Sequence, residues 1–486
     1  MDSITHVDIL FVSNYSDSLN KTESKIALKL DKSISYKILT YRETGIKNST
    51  SYESYIQENY DYILNYSTSK LQEEFKSVNF NLSIVAERMF CNYYSGNEKT
   101  MGHGKLKHSD MLFFIKSFSL FLKQYIINCT IVYSGYADNF MSLLTYQISN
   151  HYSKRCLTTN EINVVGFMNY LTQGIELKPL DMLTLRKDVK TVKELSEYLL
   201  NGDLLHEEDE ISKNEHRKIS KYQDPIFGII SPNLINIAYL KFIIFGYKVS
   251  DKRILIYMNI DKPNLIRKIK STIYRSYFKA LTQLILIKKY SYSIDKNDKY
   301  AYFPLQVQPE SSTSVRAPYY ANQLSVAENI SKSLPLGYKL IVKIHPVSVG
   351  MISPSFFKKI SSLPNVEFAS NACTSKDLIR NCEFVVGYGG TTIYESILEG
   401  KKYLLLMNSY MYDDSELIFK IKNTTCNFFE SITKVIDFNE DKVDKEKEKE
   451  RILNYFYQRG FHLYKNYYKN VAKNLQKTLE LLNEPH

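Results

Sequence analysis

The sequence predicts an α/β protein with two doubly wound parallel sheets and a ligand cleft between them. Three features predict it. Short β-type runs alternate with longer helical patterns in the first 150 residues. A polar stretch interrupts the pattern at 291–300, and the alternation then restarts with sharper boundaries. At 486 residues the chain is too long for one ordinary core and suits two.

In the first unit the strand signals are Val7–Val12, ending in Ser13-Asn14, then 36–40, 62–65, 82–86 and 130–134. Helical patterns at 111–127 and 140–151 separate the later ones. The chain turns helical and charged over 181–221, with a helix at 192–200. The basic segment 264–289 repeats Ile266, Ile269, Ile273, Tyr277, Leu281 and Leu284 at helical spacing. It reads as a helix packed on the first domain, with membrane or acceptor docking as the other reading. In the second unit strands are expected at 300–305, 339–344, 366–369, 384–386 and 403–407. Helices are expected at 323–333, 356–362, 375–381 and 392–400, and 442–482 reads as almost wholly helical. The domains are therefore 1–290, 291–440 and a closing helical segment, 441–486, packing back on the first.

The bulk numbers exclude several classes. Hydrophobic residues at 44% and charged residues at 24% are those of a globular chain, which excludes a disordered or fibrous one. The net charge is +11, but the lysines are spread along the chain and alternate with acids, as over 441–451. A nucleic-acid binder gathers such charge into a stripe interleaved with aromatics, so no nucleic-acid partner is expected. The charge fits anionic partners such as a nucleotide, an acidic glycan or the inner membrane surface. The six cysteines form no CxxC pair and lack histidines at zinc spacing, so they read as buried thiols of a reducing compartment. The N-terminus has acids where a signal peptide needs bases, and no run approaches the roughly 20 apolar residues of a membrane span. The expected location is cytoplasmic, at most peripheral on the inner membrane face.

The pattern richest in chemistry runs from Val385 to Ser396. A buried strand ends in Gly387-Tyr388-Gly389-Gly390 and opens directly into a helix through Thr391-Thr392. Gly389 and Gly390 let a phosphate approach the backbone, and the helix start offers free N–H groups. Thr391 and Thr392 stand where caps stand, and their hydroxyls can donate to phosphate oxygens. Glu395, one turn on, can accept from ribose hydroxyls. A plain glycine-rich βα turn with a threonine cap fits the same residues. A Walker A loop does not, because no Gly-Lys-Ser/Thr follows.

Ahead of this turn, Lys343-Ile344-His345-Pro346 closes a strand. Pro346 holds His345 extended at the carboxyl edge of the sheet, where an imidazole can bind or protonate a leaving phosphate. A third strand exit places Gln308 and Glu310 where base, sugar or acceptor would be met. In the first domain Glu87 and Asp138 follow strands and are the candidates for a base on the acceptor side. The loop 101–105 is a surface loop or an acceptor contact. Asp413-Asp414 lies past the last expected core strand, and no metal site is expected.

The segments 302–310, 340–346, 363–366 and 390–401, in order and with matching spacing, resemble the bacterial capsule polysaccharide biosynthesis family. The resemblance spans about 300–407. It implies a GT-B glycosyltransferase fold, two Rossmann-like domains with a cleft between them and a C-terminal helical crossover. The family's relatives include Kdo transferases and, more distantly, sialyl- and polysialyltransferases. By this resemblance His345 and the Thr391/Thr392 pair bind a CMP phosphate, Glu395 meets the ribose, and Glu310 lies near the reaction centre. Lys343, Gly389, Gly390 and Gln308 complete the donor site. The chain departs from the family at Ile344, often acidic there, and at Gln306, often histidine. Neither change removes a phosphate ligand; both bear on the donor sugar.

The expected activity is transfer of an ulosonic acid, Kdo or a sialic-type acid, from its CMP ester to a surface polysaccharide or lipid-linked glycan, without cofactor or metal. The alternatives are a nucleoside-diphosphate-sugar or polyol-phosphate transferase of the same fold, or a non-catalytic glycan- or nucleotide-binding protein.

Overall fold

The computed structural model describes residues 5–13, 17–41, 43–85, 108–136, 140–162, 168–173, 178–179, 298–308, 311–345, 348, 354–370, 373–407, 409, 412, 415–421, 427–459, 461–462 and 467–483. The first sheet holds β1 (Val7–Val12), β2 (Tyr36–Thr40), β3 (Ser49–Ser51), β4 (Cys129–Tyr136) and β5 (Arg155–Ile162). These five run parallel in the order β3-β2-β1-β4-β5. β6 (Met168–Gln173) lies antiparallel to β5, and β7 (Lys178–Pro179) antiparallel to β6.

The second sheet is wholly parallel. Its strands are β8 (Tyr300–Pro304), β9 (Lys339–Lys343), β10 (Val366–Phe368), β11 (Phe384–Gly387), β12 (Lys402–Leu405) and β13 (Ile418–Lys420), in the order β10-β9-β8-β11-β12-β13. β8, β11 and β12 are buried along their whole length, as a parallel sheet with helices on both faces requires. In both sheets the strand order reverses beside the first strand, between β1 and β4 and between β8 and β11. Ligands of doubly wound sheets bind at such reversals, outside the carboxyl ends of the strands.

Two helices of the second unit begin where the sequence supplies a side-chain cap. Asn322 caps the helix Gln323–Ser333 and accepts from the Ser325 N–H at 3.3 Å. Thr374 and Asp377 form a reciprocal capping box at the start of Ser375–Asn381. The helix Lys445–Arg459 packs on the helix Thr391–Leu398 of the second unit. The chain then returns to the first unit: β14 (Phe461–His462) pairs with β6. The helix Tyr467–Asn483 buries Val471, Ala472, Leu475 and Leu479 against Ile9, Phe11, Ile26, Ile38 and Ile131. Two wound sheets with the last helix returned to the first make the GT-B architecture. Leu143, early in the helix leaving β4, packs on Val315, which follows β8, so the carboxyl edges of the two sheets meet there.

Several expectations need correction. Residues 62–65 are the last turn of the helix Tyr52–Asn65, not a strand. Tyr52, Tyr55, Ile56 and Ile63 are buried at helical spacing, while Tyr62 and Leu64 are exposed. Residues 82–85 belong to the helix Phe80–Val85, whose start is held by Asn79 accepting from the Leu82 N–H at 3.0 Å. Residues 413–414 precede a further core strand, β13, and the closing segment is broken by β14. The segments 181–221 and 264–289 and the loop 101–105 lie outside the described residues. Cys129, Cys156 and Cys382 are buried and unpaired, their thiols pushed up to about 12 by burial, while Cys373 is half-buried. Cys91 and Cys426 lie outside the described residues. Among the described residues no helix is long and apolar enough to cross a membrane.

Leu475 is fully buried between the closing helix and the first sheet. Leu475→Ala is expected to cost about 3 kcal/mol through the cavity it leaves. Urea denaturation should show this as a lower midpoint for the transition that involves the first unit.

Candidate functional site

Three neighbouring strands, β9, β8 and β11, release the chain at one edge of the second sheet. At a strand spacing of about 4.8 Å, the β9 and β11 exits stand about 10 Å apart with the β8 exit between them. His345 follows β9, Gln306 to Gln308 follow β8, and the glycine turn follows β11.

The glycine turn is shaped by one buried phenol. The Tyr403 hydroxyl accepts the Gly389 N–H at 3.3 Å and lies 3.2 Å from Thr392 Oγ1. A Cβ on Gly387 would collide with that hydroxyl. A Cβ on Gly389 (φ +99°) would meet Met407 Sδ at 2.9 Å. Gly390 (φ +73°) is the helix cap, so Thr391 and Thr392 are the first helical residues and not the caps. With no side chain capping this helix, the N–H groups of its first turn face the sheet edge without intrahelical partners, the usual seat of an anion.

The two threonines diverge. Thr391 is exposed, and its hydroxyl bonds the Glu395 side chain. Thr392 is buried and also donates to the Gly389 carbonyl at 3.3 Å, so its hydroxyl serves the turn. Burial raises the Glu395 pKa above the usual carboxylate value, opposed by the Thr391 hydrogen bond and by Lys376.

His345 is open to solvent on one side and crowded by protein on the other. The crowding lowers its pKa below the usual imidazole value, leaving the ring neutral at pH 7. Its carbonyl accepts the Ser348 N–H at 2.8 Å. The flanking lysine is already engaged: Lys343 Nζ donates to the Cys373 carbonyl at 2.7 Å. Lys401, at the amino end of β12, lies at the opposite edge of the sheet, where it donates to the Cys382 carbonyl at 2.9 Å. Gln308 donates its amide to the Ala321 carbonyl.

The structure thus brings His345, Lys343, Gln308, Gly389, Gly390, Thr391, Thr392 and Glu395 to one sheet edge. Glu310, Glu87 and Asp138 lie outside the described residues. Sequence reasoning missed two contributors, Gln323 and Tyr403. Gln323 clamps the β8 exit, its side chain donating to the Gln306 carbonyl at 3.0 Å and accepting the Gln306 N–H at 2.7 Å. The Gln306 side chain reaches 4.0 Å from where a Gly390 Cβ would stand, which puts it at the strand-order reversal. From sequence Tyr403 is only a strand residue. In the first unit a buried acid, Glu23, accepts from Ser13 Oγ at 3.0 Å, and burial raises its pKa to about 7. Its sequence signal was a carboxylate three and four residues before the buried Ile26 and Ala27, on the apolar stripe of its helix. Among the described residues no group of three or more His, Cys, Asp or Glu is placed to hold a metal ion.

Comparison with known proteins agrees with the resemblance read from the sequence. The model of one family, described as capsule polysaccharide biosynthesis protein, matches residues 238–413. No curated protein matches the chain. Among solved structures, a β-Kdo 2,7 transferase, KpsC of Thermosulfurimonas dismutans, is similar at 8% identity and TM-score 0.32, covering 92% of this chain and 99% of that one. UDP-GlcNAc 2-epimerase of Methanocaldococcus jannaschii is similar at 12% identity and TM-score 0.26, covering 92% and 98%. The Neisseria meningitidis epimerase bound to UDP-GlcNAc follows at 11% and 0.22, covering 98% and 100%. TM-scores this low carry no argument about substrate, and the fold rests on the strand order and the returning helix.

Two stability predictions follow from these contacts. Tyr403→Phe should cost about 1–3 kcal/mol by leaving buried partners unsatisfied. Because the hydroxyl is what a Gly387 Cβ would strike, Gly387→Ala should be less damaging in the Tyr403→Phe background, a coupling that a double-mutant cycle measures. For Glu23 the raised pKa favours the protonated folded state. Its contribution is present below its ordinary 4.5 and lost as pH rises through about 7. Glu23→Gln should remove that decline, about 3 kcal/mol in all, and be the more stable protein above pH 7 in urea titrations at several pH values.

Proposed function

We propose that the protein is a glycosyltransferase of surface-polysaccharide assembly. It moves an ulosonic acid, Kdo or a sialic-type acid, from its CMP ester to a glycan acceptor. The observation that carries this reading is the sheet edge at β9, β8 and β11. Among the described residues it offers an uncapped helix start, the exposed Thr391 and the imidazole of His345, with Lys343 tied to a backbone carbonyl and Lys376 beside Glu395. That equipment suits a single phosphate better than a pyrophosphate, which calls for more positive charge. In this reading the first-turn N–H groups and Thr391 hold the phosphate, and Glu395 accepts from the ribose. Gln306 and Gln308 line the β8 exit, and Glu310 stands near the reacting carbon. His345 donates to the phosphate as it leaves, drawing on a proton that the bound anion stabilises. A monophosphate leaving group held this way needs no metal. Glu87 and Asp138 remain the acceptor-side candidates from sequence, and the acceptor is a growing glycan at the inner membrane face.

The test is calorimetric titration with CMP and UDP, alongside CMP release from CMP-Kdo and CMP-sialic acid. CMP should bind in preference to UDP and more tightly as pH falls, because the imidazole is neutral at pH 7 before CMP binds and the bound phosphate draws a proton onto it. His345→Ala should weaken CMP binding about 10- to 100-fold with folding intact, the loss of one hydrogen bond to a charged group. EDTA should leave the release rate unchanged. Preference for UDP, or nucleotide binding indifferent to His345, would overturn the reading.

A further inference from the structure

The first unit carries a buried acid at its own strand-order reversal that donor binding does not use. Glu23 is 3% exposed and Ser13, which closes β1, is 1% exposed. Ser13 Oγ donates to Glu23 Oε2 at 3.0 Å. Across the reversal, Phe11 of β1 is in register with Tyr133 of β4, and Gly135 follows two residues later. Gly135 takes φ +61° and comes close enough that a Cβ there would stand 3.4 Å from Glu23 Oε1. The carboxylate therefore bridges the exits of β1 and β4. The contact between Leu143 and Val315 joins this edge to the donor edge of the second sheet.

The surroundings explain the state of the acid. Tyr133 of β4 faces it, bonded to Thr159 Oγ1 at 2.6 Å and to Tyr467 of the closing helix; burial holds the Tyr133 phenol well above its ordinary value, so it stays neutral. Lys25, on the same helix as Glu23, turns to Tyr468 instead, at 3.4 Å. Burial is the main cause of the raised Glu23 pKa, with Ser13 the side chain that opposes it. An uncompensated buried acid is costly in a core. At a ligand edge it is the usual mark of a group kept for proton transfer.

Resting on the transferase reading above, we propose that Ser13 and Glu23 take up the proton of the acceptor hydroxyl. Ser13 Oγ receives that proton as its own passes to Glu23 Oε2. In the same step the acceptor oxygen bonds to the anomeric carbon. The bond from that carbon to the phosphate oxygen breaks, and CMP leaves with its electron pair. Glu23 then holds one proton and returns it to water. Ser13 touches the acceptor; Glu23 acts through Ser13 and is a positioning residue. A carboxylate titrating near the working pH suits this task.

The experiment follows CMP release from CMP-Kdo with water as the acceptor, from about pH 5.5 to about pH 9, in the full-length protein. The rate should rise with pH through about 7, because only the ionised carboxylate can take the proton. Glu23→Gln and Ser13→Ala should each lower kcat about 100-fold or more and abolish that rise, while leaving CMP affinity unchanged because CMP binds in the other unit. Glu23→Asp should restore part of the rise. Variants that bind CMP and keep both rate and pH profile overturn the dyad alone. A wild-type protein that binds no CMP overturns the transferase reading, and the dyad with it.

Discussion

One phenol holds the glycine turn of the second sheet in place. The Tyr403 hydroxyl sits beneath the glycine turn, where it takes the Gly389 N–H and meets Thr392, and its bulk excludes any side chain at 387. With Gly389 N–H and Thr392 drawn inward, the next residues must present the start of the helix to the sheet edge. The exposed hydroxyl of Thr391, the position of Glu395 one turn later and the approach of Gln306 all depend on that geometry. Tyr403 itself belongs to β12, paired to β11 through Val385, so the turn is referenced to the rigid part of the sheet and not to a loop.

The second unit was legible because its strands are continuous apolar runs bounded by glycine, proline or polar residues, as at 384–387 and 339–343. The first unit was harder. Tyrosine and isoleucine favour strands by propensity, so 62–65 and 82–86 read as β. In the folded chain the caps at Ser51 and Asn79 and the burial of Tyr52, Tyr55 and Ile56 decide for helix. β3 and β13 are only three residues each, too short for a period to be read.

The site was legible in part. Residues that mark a strand exit announce themselves by type and spacing: the paired glycines, the threonines and His345 before its proline. Residues that act from elsewhere do not. Tyr403 lies in an apolar strand and Gln323 in the next helix, and each matters through a hydrogen bond made only when distant segments meet. Glu23 gave a signal, a carboxylate on an apolar stripe, whose meaning depends on Ser13 and Gly135 arriving beside it.

The closing helix has a consequence for biosynthesis. Ile9, Phe11 and Ile38 emerge early, but the helix Tyr467–Asn483 that covers them is made only after the strands of both sheets. At about 5–20 residues per second, the sheet waits on the order of tens of seconds with that apolar face uncovered. A nascent chain in this condition is a natural client for a ribosome-associated chaperone. Premature termination anywhere before this helix would release a polypeptide that aggregates and does not accumulate as a folded half.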